Sequence, residues 1–119
     1  MIHLQCTQPL KPKGIINETI KIIEETKTRS LLSVSPIIKK LGKVKDDKFI
    51  PWNYTFGQRS QDMEPLYFEN GLIYATCREL INKGKIIDNE AYPYIINHPY
   101  ANVDIDTDED FRYAEYLMR

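Results

Sequence analysis

Cysteine is scarce in this sequence: Cys6 and Cys77 are the only two among 119 residues. They lie far apart and match no CxxC or mixed His/Cys spacing, so the sequence predicts neither a zinc-binding motif nor a disulfide framework. A reducing compartment suits a chain of this kind, and we expect it to be cytoplasmic.

Long apolar runs and an excess of charge are absent as well. The apolar stretches, such as residues 94–96, are far too short to cross a bilayer, and the N-terminus lacks the pattern of a signal peptide. Sixteen basic residues face seventeen acidic ones, which gives a net charge of −1. We therefore expect no nucleic-acid or membrane partner. What remains is the composition of one ordinary globular domain.

Three helices are predicted from apolar spacing and helix-ending residues. The segment "INETIKIIEETK" is predicted to bury Ile16, Ile20 and Ile23 on one face. "CRELINKG" predicts a short helix that ends at Gly84. The last helix is predicted over Asp108–Met118, with three side chains on its inner face: Phe111, Ala114 and Met118.

Strand-like segments alternate with these helices. "SLLSVS" and "AYPYIIN" are rich in strand-forming residues, and a third strand, Leu72–Ala75, is predicted to begin after a turn at Asn70-Gly71. A hairpin is predicted in "KKLGKVKDDKFIPWN", with residues 45–48 at its tip. The alternation of helices and strands favours an α/β fold.

The segment "NVDIDTDEDF", residues 102–111, packs five acidic side chains into ten positions. Thr107 is a suitable N-cap for the last helix, and the three acids that follow it suit the positive end of the helix dipole. Asp104 and Asp106 remain unexplained by capping. In an extended backbone they share one face, while Ile105 points to the core. Mg²⁺ is commonly held by one or two such carboxylates together with substrate phosphates and water.

Two other interpretations of this acidic segment compete with a magnesium site. Counting from Asp104, acids occupy the ligand positions of a calcium-binding EF-hand loop as far as Glu115, but Glu109 stands where that loop needs glycine and no helix precedes it. A solvated acidic turn fits the spacing as well as the magnesium interpretation does. Spacing alone does not decide between a magnesium site and a solvated acidic turn.

Three separated motifs resemble those of acylneuraminate cytidylyltransferases, the enzymes that make CMP-sialic acid and related sugars. "LQCTQPL" (Leu4–Leu10) is similar to the family's LQPTSPLR loop. "RSQDMEPLYFENGLIY" (Arg59–Tyr74) is similar to its R-x-Q-D…ENGxIY segment, and "DIDTDEDF" (Asp104–Phe111) to its DIDTEEDF ending. The resemblance covers essentially the whole chain.

The resemblance implies a fold and a reaction. The fold is a partial Rossmann-like, doubly wound sheet of the nucleotide-diphospho-sugar transferase type, forming one truncated domain over residues 1–119. A hairpin insert at residues 37–68 would mediate dimerisation, so that a homodimer is expected. The reaction transfers CMP from CTP to a sialic-acid-like (nonulosonic) sugar acid and releases pyrophosphate, with Mg²⁺ stabilising the developing charge.

The resemblance also implies roles for individual residues. Asp104 and Asp106 would hold Mg²⁺, and Gln5 would hydrogen-bond the sugar. Arg59 would face the anionic substrate, although it stands two residues before Gln61 where relatives have arginine directly before the glutamine. Two further substrate-binding residues are implied in the ENGxIY segment: Asn70, in the turn, and Tyr74, as an aromatic wall for the acyl group.

Several features depart from the family pattern. Lys11 replaces the arginine that ends the family's loop, and Ile86 and Ile87 stand near the place where some members have paired phenylalanines. One of three hairpin lysines would face the triphosphate, although spacing does not say which: Lys39, Lys40 or Lys43.

The family's Gly- and Lys-containing nucleotide-binding loop has no counterpart in this sequence. We therefore expect the chain to match the C-terminal portion of the enzyme, with its first strand, central in a complete sheet, left at an exposed edge. A non-catalytic remnant or dimerisation module is the alternative function.

Overall fold

The computed structural model describes all 119 residues, and the chain divides into two compact units. Unit 1 comprises Met1–Ser35 and Glu69–Arg119, and unit 2 comprises Pro36–Phe68. Unit 2 covers nearly the same residues as the predicted hairpin insert.

Six strands form two sheets. In chain order they are β1 (Ile2–His3), β2 (Ser30–Ile37), β3 (Gly42–Lys45), β4 (Lys48–Pro51), β5 (Leu66–Thr76) and β6 (Tyr92–Ile95). The larger sheet has the order β1-β5-β2-β6, and β3 pairs with β4. β2 and β6 are parallel, with Leu31 opposite Tyr92, whereas β1 and β5 are antiparallel, with Ile2 opposite Ala75.

This mixed sheet is compatible with part of a Rossmann-like fold. β2 and β6 are parallel, as strands in Rossmann-like folds are, and parallel strands must be joined by a crossover connection. β1 lies at an edge of the sheet and is antiparallel to its neighbour. The edge position of β1 is the one expected from the sequence.

Three α-helices complete the chain: α1 (Ile15–Thr26), α2 (Arg78–Asn82) and α3 (Asp108–Met118). α3 has the predicted bounds, and α2 is followed by Gly84 in the left-handed conformation, as predicted from the helix-ending glycine. None of these helices combines the length and apolar character needed to cross a membrane.

The buried face of α1 differs from the predicted one. Ile15 and Thr19 are buried on this helix, with Ile23 half-buried behind them, whereas Ile16 and Ile20 are exposed. The prediction of Ile16 and Ile20 as inner residues was therefore wrong. An isoleucine-rich helix offers two overlapping apolar faces, and packing against the sheet selects the one that begins at Ile15.

Two apolar clusters form the core of unit 1. The larger joins α1 to the sheet and contains Ile15, Leu31, Leu72, Ile73, Ala75, Ile96 and Ala101. The smaller one joins α3 to the segment before it and contains Leu10, Val103 and Ala114, with Ile105 and Leu117 packed against it. Phe111 and Met118 are exposed, so only Ala114 of the three predicted inner residues of α3 is buried.

The hairpin in unit 2 has the predicted two-residue tip. Lys45 pairs with Lys48, and the intervening Asp46 and Asp47 have φ angles of 52° and 59°. Two consecutive residues with positive φ match the twist of paired strands, and aspartate tolerates that conformation. The hairpin is thus confirmed, and its role in dimerisation stays a prediction.

Candidate functional site

The loop after β1 turns sharply and is anchored to two other segments. The Gln8 N–H donates to the Gln5 carbonyl at 3.3 Å, which closes the turn. The Lys11 ammonium donates to the Leu72 carbonyl at 2.8 Å, and burial lowers the pKa of Lys11. The Thr7 carbonyl accepts the Ile105 N–H at 2.7 Å, so the loop also holds the acidic segment.

β5 contains a break at Gly71. This residue lies inside the strand with a φ of 70°, a conformation that L-residues rarely adopt, and a left-handed glycine within a strand is typical of a bulge. Asn70-Gly71 is therefore not a turn that begins a strand, because β5 already starts at Leu66. A Cβ at Gly71 would collide with the side-chain oxygens of Gln5 and Gln8.

Asn70 supports this bulge from inside. It is only 2% exposed, and its side-chain oxygen accepts hydrogen bonds from Ser33 and from the Leu72 N–H, while its amide nitrogen donates to Ser35 at 2.8 Å. Its backbone carbonyl accepts the Gln8 amide. The side chain of Asn70 thus faces the interior and holds β5 and β2 together, and its role as a substrate ligand stays a prediction.

The bulge brings Glu69 and Tyr74 to the same side of β5. Residues five positions apart point to opposite faces of a regular strand, and the extra residue at Gly71 reverses that alternation. The Tyr74 hydroxyl donates to the Glu69 carboxylate. Burial, together with this negatively charged partner, raises the pKa of Tyr74 well above its usual range.

A pocket of about 290 Å³ opens beside this pair. It is lined by His3, Gln5, Glu69, Tyr74, Ile86 and Ile87. Two predicted substrate ligands, Gln5 and Tyr74, thus lie in one pocket with the two isoleucines that were singled out from the family resemblance. Polar and aromatic groups converge over an apolar wall, which is the usual character of a small-molecule site.

Sequence reasoning missed His3 and Glu69. His3 is two residues before Gln5 at the end of an extended segment, so the spacing itself placed the two side chains on one face. Its ring meets that of Tyr74 edge-on, with the centroids 5.9 Å apart. Glu69 carried no comparable signal, because its position depends on the bulge.

The acidic segment separates into capping and exposed carboxylates. Thr107 caps α3 through the Asp110 N–H, and the Asp110 carboxylate accepts the N–H groups of Asp106 and Thr107. These hydrogen bonds lower the pKa of Asp110, the one from the Asp106 N–H most of all. Asp104 and Asp106 are exposed, while Ile105 between them packs inward. This alternation is the predicted one.

Comparison with curated proteins identifies relatives of one kind. The chain is 28% identical over 116 residues to the N-acylneuraminate cytidylyltransferases of Streptococcus agalactiae serotypes III and Ia, and the match covers 92% of this chain. The chain is a distant relative of these enzymes. It spans 28% of the length of each, which is little more than a quarter. No protein-family model matches the sequence.

Arg59 belongs to unit 2, near the short 3₁₀ turn Ser60–Asp62. It is exposed, and its Nε lies 2.9 Å from an oxygen of Asp62 in an ion pair. An exposed pair of this kind is weak and can be exchanged for another anion. The role of Arg59 as a ligand of the anionic substrate stays a prediction.

The side chains available to hold a metal ion are few, and the magnesium site at Asp104 and Asp106 stays a prediction. No group of three or more His, Cys, Asp or Glu side chains is arranged to hold an ion, which argues against the EF-hand interpretation. Asp104 and Asp106 are exposed, and the backbone of Ile105 between them is hydrogen-bonded to Thr7 of the Gln5–Gln8 turn. A donor set of this size fits Mg²⁺, which completes its coordination with phosphate and water oxygens.

Proposed function

We propose that the chain carries the sugar-acid site of a nucleotidyltransferase that transfers CMP from CTP to a sialic-acid-like (nonulosonic) sugar acid and releases pyrophosphate. One observation carries the proposal. Gln5 and Tyr74 come from two separate motifs shared with cytidylyltransferases, and both line one pocket in a chain distantly related to those enzymes.

The composition of the pocket suits a sugar acid that bears an acyl group. The Gln5 amide and the Glu69 carboxylate form hydrogen bonds with hydroxyl and N–H groups. Ile86, Ile87 and the face of the Tyr74 ring offer an apolar surface for an acyl substituent. The Arg59 guanidinium is the cation proposed for the carboxylate of the sugar.

Asp104 and Asp106 are the residues that would hold Mg²⁺. When bound there, the ion neutralises charge on the phosphates of CTP and on the pyrophosphate that leaves. The protein's own contribution is to keep both carboxylates beside the loop that carries Gln5, through the hydrogen bond from Ile105 to Thr7. One of three exposed lysines would contact the triphosphate, as the family resemblance implies: Lys39, Lys40 or Lys43.

Binding of N-acetylneuraminic acid, followed by saturation-transfer NMR, tests the sugar-acid site without requiring turnover. Tyr74→Ala is expected to weaken binding on the order of tenfold, because it removes the aromatic wall. Tyr116→Ala, at an exposed tyrosine of α3, is the matched control and should bind as the wild type does. Equal binding by both variants would contradict the proposed site.

Turnover is tested by pyrophosphate release from CTP in the presence of the sugar acid and Mg²⁺. Asp106→Asn is expected to raise the Mg²⁺ concentration needed for half-maximal activity, because one of two carboxylates is lost. Unchanged activity at limiting Mg²⁺ would remove Asp106 from the metal site.

A second candidate function is self-association through unit 2, and the exposed apolar side chains of that unit favour it. Val44 is 79% exposed and Phe56 71% exposed, and Ile38 and Trp52 are also exposed. Exposed apolar residues grouped on a small unit are a common mark of an interface. Sedimentation velocity is expected to show a dimer that Val44→Lys and Phe56→Ser convert to monomer; a monomeric wild type would exclude the homodimer.

A further inference from the structure

The side chain of Gln8 is buried and incompletely satisfied. It is 5% exposed, and its amide nitrogen donates to the Asn70 backbone carbonyl at the bulge. Its side-chain oxygen, Oε1, is also buried but has no hydrogen-bond partner. Buried polar atoms are nearly always hydrogen-bonded, so a hydrogen-bond donor is expected close to this oxygen.

The side chain of Gln5 shares the space beside this oxygen. The point where a Cβ of Gly71 would stand is in contact with Gln8 Oε1 and lies 2.8 Å from Gln5 Oε1. The backbone turn from Gln5 to Gln8 places both side chains over this glycine. Two carbonyl oxygens facing one small space repel each other unless a donor lies between them.

The Gln5 amide itself contains the missing donor. A half turn about its last side-chain bond exchanges oxygen and nitrogen while the other atoms stay in place. We propose that Gln8 is a positioning residue: its Oε1 accepts a hydrogen bond from the Gln5 amide nitrogen and so holds the Gln5 oxygen toward the pocket.

This orientation sets the polarity of the pocket. Gln5 then presents an acceptor, and the Glu69 carboxylate across the pocket is a second acceptor. The group that binds between them is a hydrogen-bond donor, either a hydroxyl or an amide N–H. The identity of the ligand as a sugar acid rests on the function proposed above, whereas the amide orientation does not.

NMR of the protein without ligand tests the orientation directly. In the wild type, the Gln5 side-chain NH₂ protons are expected to exchange slowly with water and to show a nuclear Overhauser effect to the Gly71 α-protons. In Gln8→Met, which keeps the length of the side chain but removes the acceptor, their exchange should accelerate to that of the exposed Gln61. Fast exchange already in the wild type, or a bound water between the two oxygens, would overturn the proposal.

A second variant serves if Gln8→Met does not fold. Gln5→Glu alters a half-buried position, and the carboxyl that it introduces can donate to Gln8 when protonated but not when ionised. The pKa of that carboxyl is therefore expected above the ordinary glutamate value. A pKa at or below that value would refute the contact.

Titration with N-acetylneuraminic acid then separates this inference from the proposed function. Weaker binding by Gln8→Met, with slow Gln5 exchange in the wild type, supports both. Slow exchange without any sugar-acid binding keeps the positioning role and removes the proposed function. If the wild type binds the sugar acid but the Gln5 NH₂ protons exchange fast, the proposed function is kept and the positioning role of Gln8 is removed.

Discussion

Replacement of Gly71 by alanine probes the conformation and the surroundings of the bulge together. Alanine in the left-handed region costs about 1–2 kcal/mol. Its Cβ would also meet the Gln5 and Gln8 side-chain oxygens, so Gln8 must leave its hydrogen bond to Asn70. An unpaired buried group costs about 1–3 kcal/mol. We expect Gly71→Ala to lower the free energy of unfolding by about 2–5 kcal/mol.

Gly84→Ala is the matched control for this prediction. Gly84 has a φ of 74°, close to that of Gly71, but no atom lies within 4 Å of the position of its Cβ. It should therefore show the conformational cost alone, about 1–2 kcal/mol. Urea unfolding followed by far-ultraviolet circular dichroism measures both variants. Equal losses of stability would refute the close contact between the two glutamines and the bulge.

Three further predictions concern packing and ionisation. Ile15→Ala should lower the free energy of unfolding by about 2–5 kcal/mol and Ile16→Ala by much less, because only Ile15 is buried. A larger loss for Ile16→Ala in urea unfolding would show that α1 packs through the face that contains Ile16. Thr107→Ala should cost about 1 kcal/mol through loss of the cap. Because the folded pKa of Asp110 is depressed, its contribution is present above about pH 4 and disappears as the pH falls, and Asp110→Asn should flatten the acid limb of stability against pH. Tyr74, whose pKa is raised, should stay protonated above the ordinary tyrosine pKa of about 10, so that its contribution to stability is lost as the pH rises further. Wild type and Tyr74→Phe, compared by ultraviolet absorbance during a pH titration, check this; a Tyr74 ionisation at or below the ordinary value would contradict it.

Local signals in the sequence predicted the start of α3 and the tip of the hairpin, although they placed the start of β5 too late. Thr107 and the acids after it define the start of α3, and the Asp46-Asp47 pair defines the hairpin tip, because caps and tight turns depend on a few adjacent residues. The predicted inner faces of α1 and α3 were largely wrong, since the buried face of a helix is selected by what packs against it. Phe111 is apolar and regularly spaced, yet it is exposed.

The site was predictable only in part. Resemblance pointed to Gln5 and Tyr74, and the structure brings both to one pocket. Glu69 could not be placed by strand periodicity, because its side depends on a bulge held by Gln8, which lies 62 residues from Asn70 in sequence. Asn-Gly is a common turn signal, and contacts made so far along the chain determine that it becomes a bulge instead.

Pro93 makes one edge of the larger sheet, the β6 edge, less able to pair with another strand. It sits in β6 opposite Leu32, and the hydrogen bond from Ile96 to the Val34 carbonyl shows which alternate residues face β2. By that alternation Pro93 faces away from β2, where its ring leaves no N–H to offer. A further strand on that side would find no backbone N–H at Pro93 to hydrogen-bond with, so Pro93 disfavours extension of the sheet beyond β6.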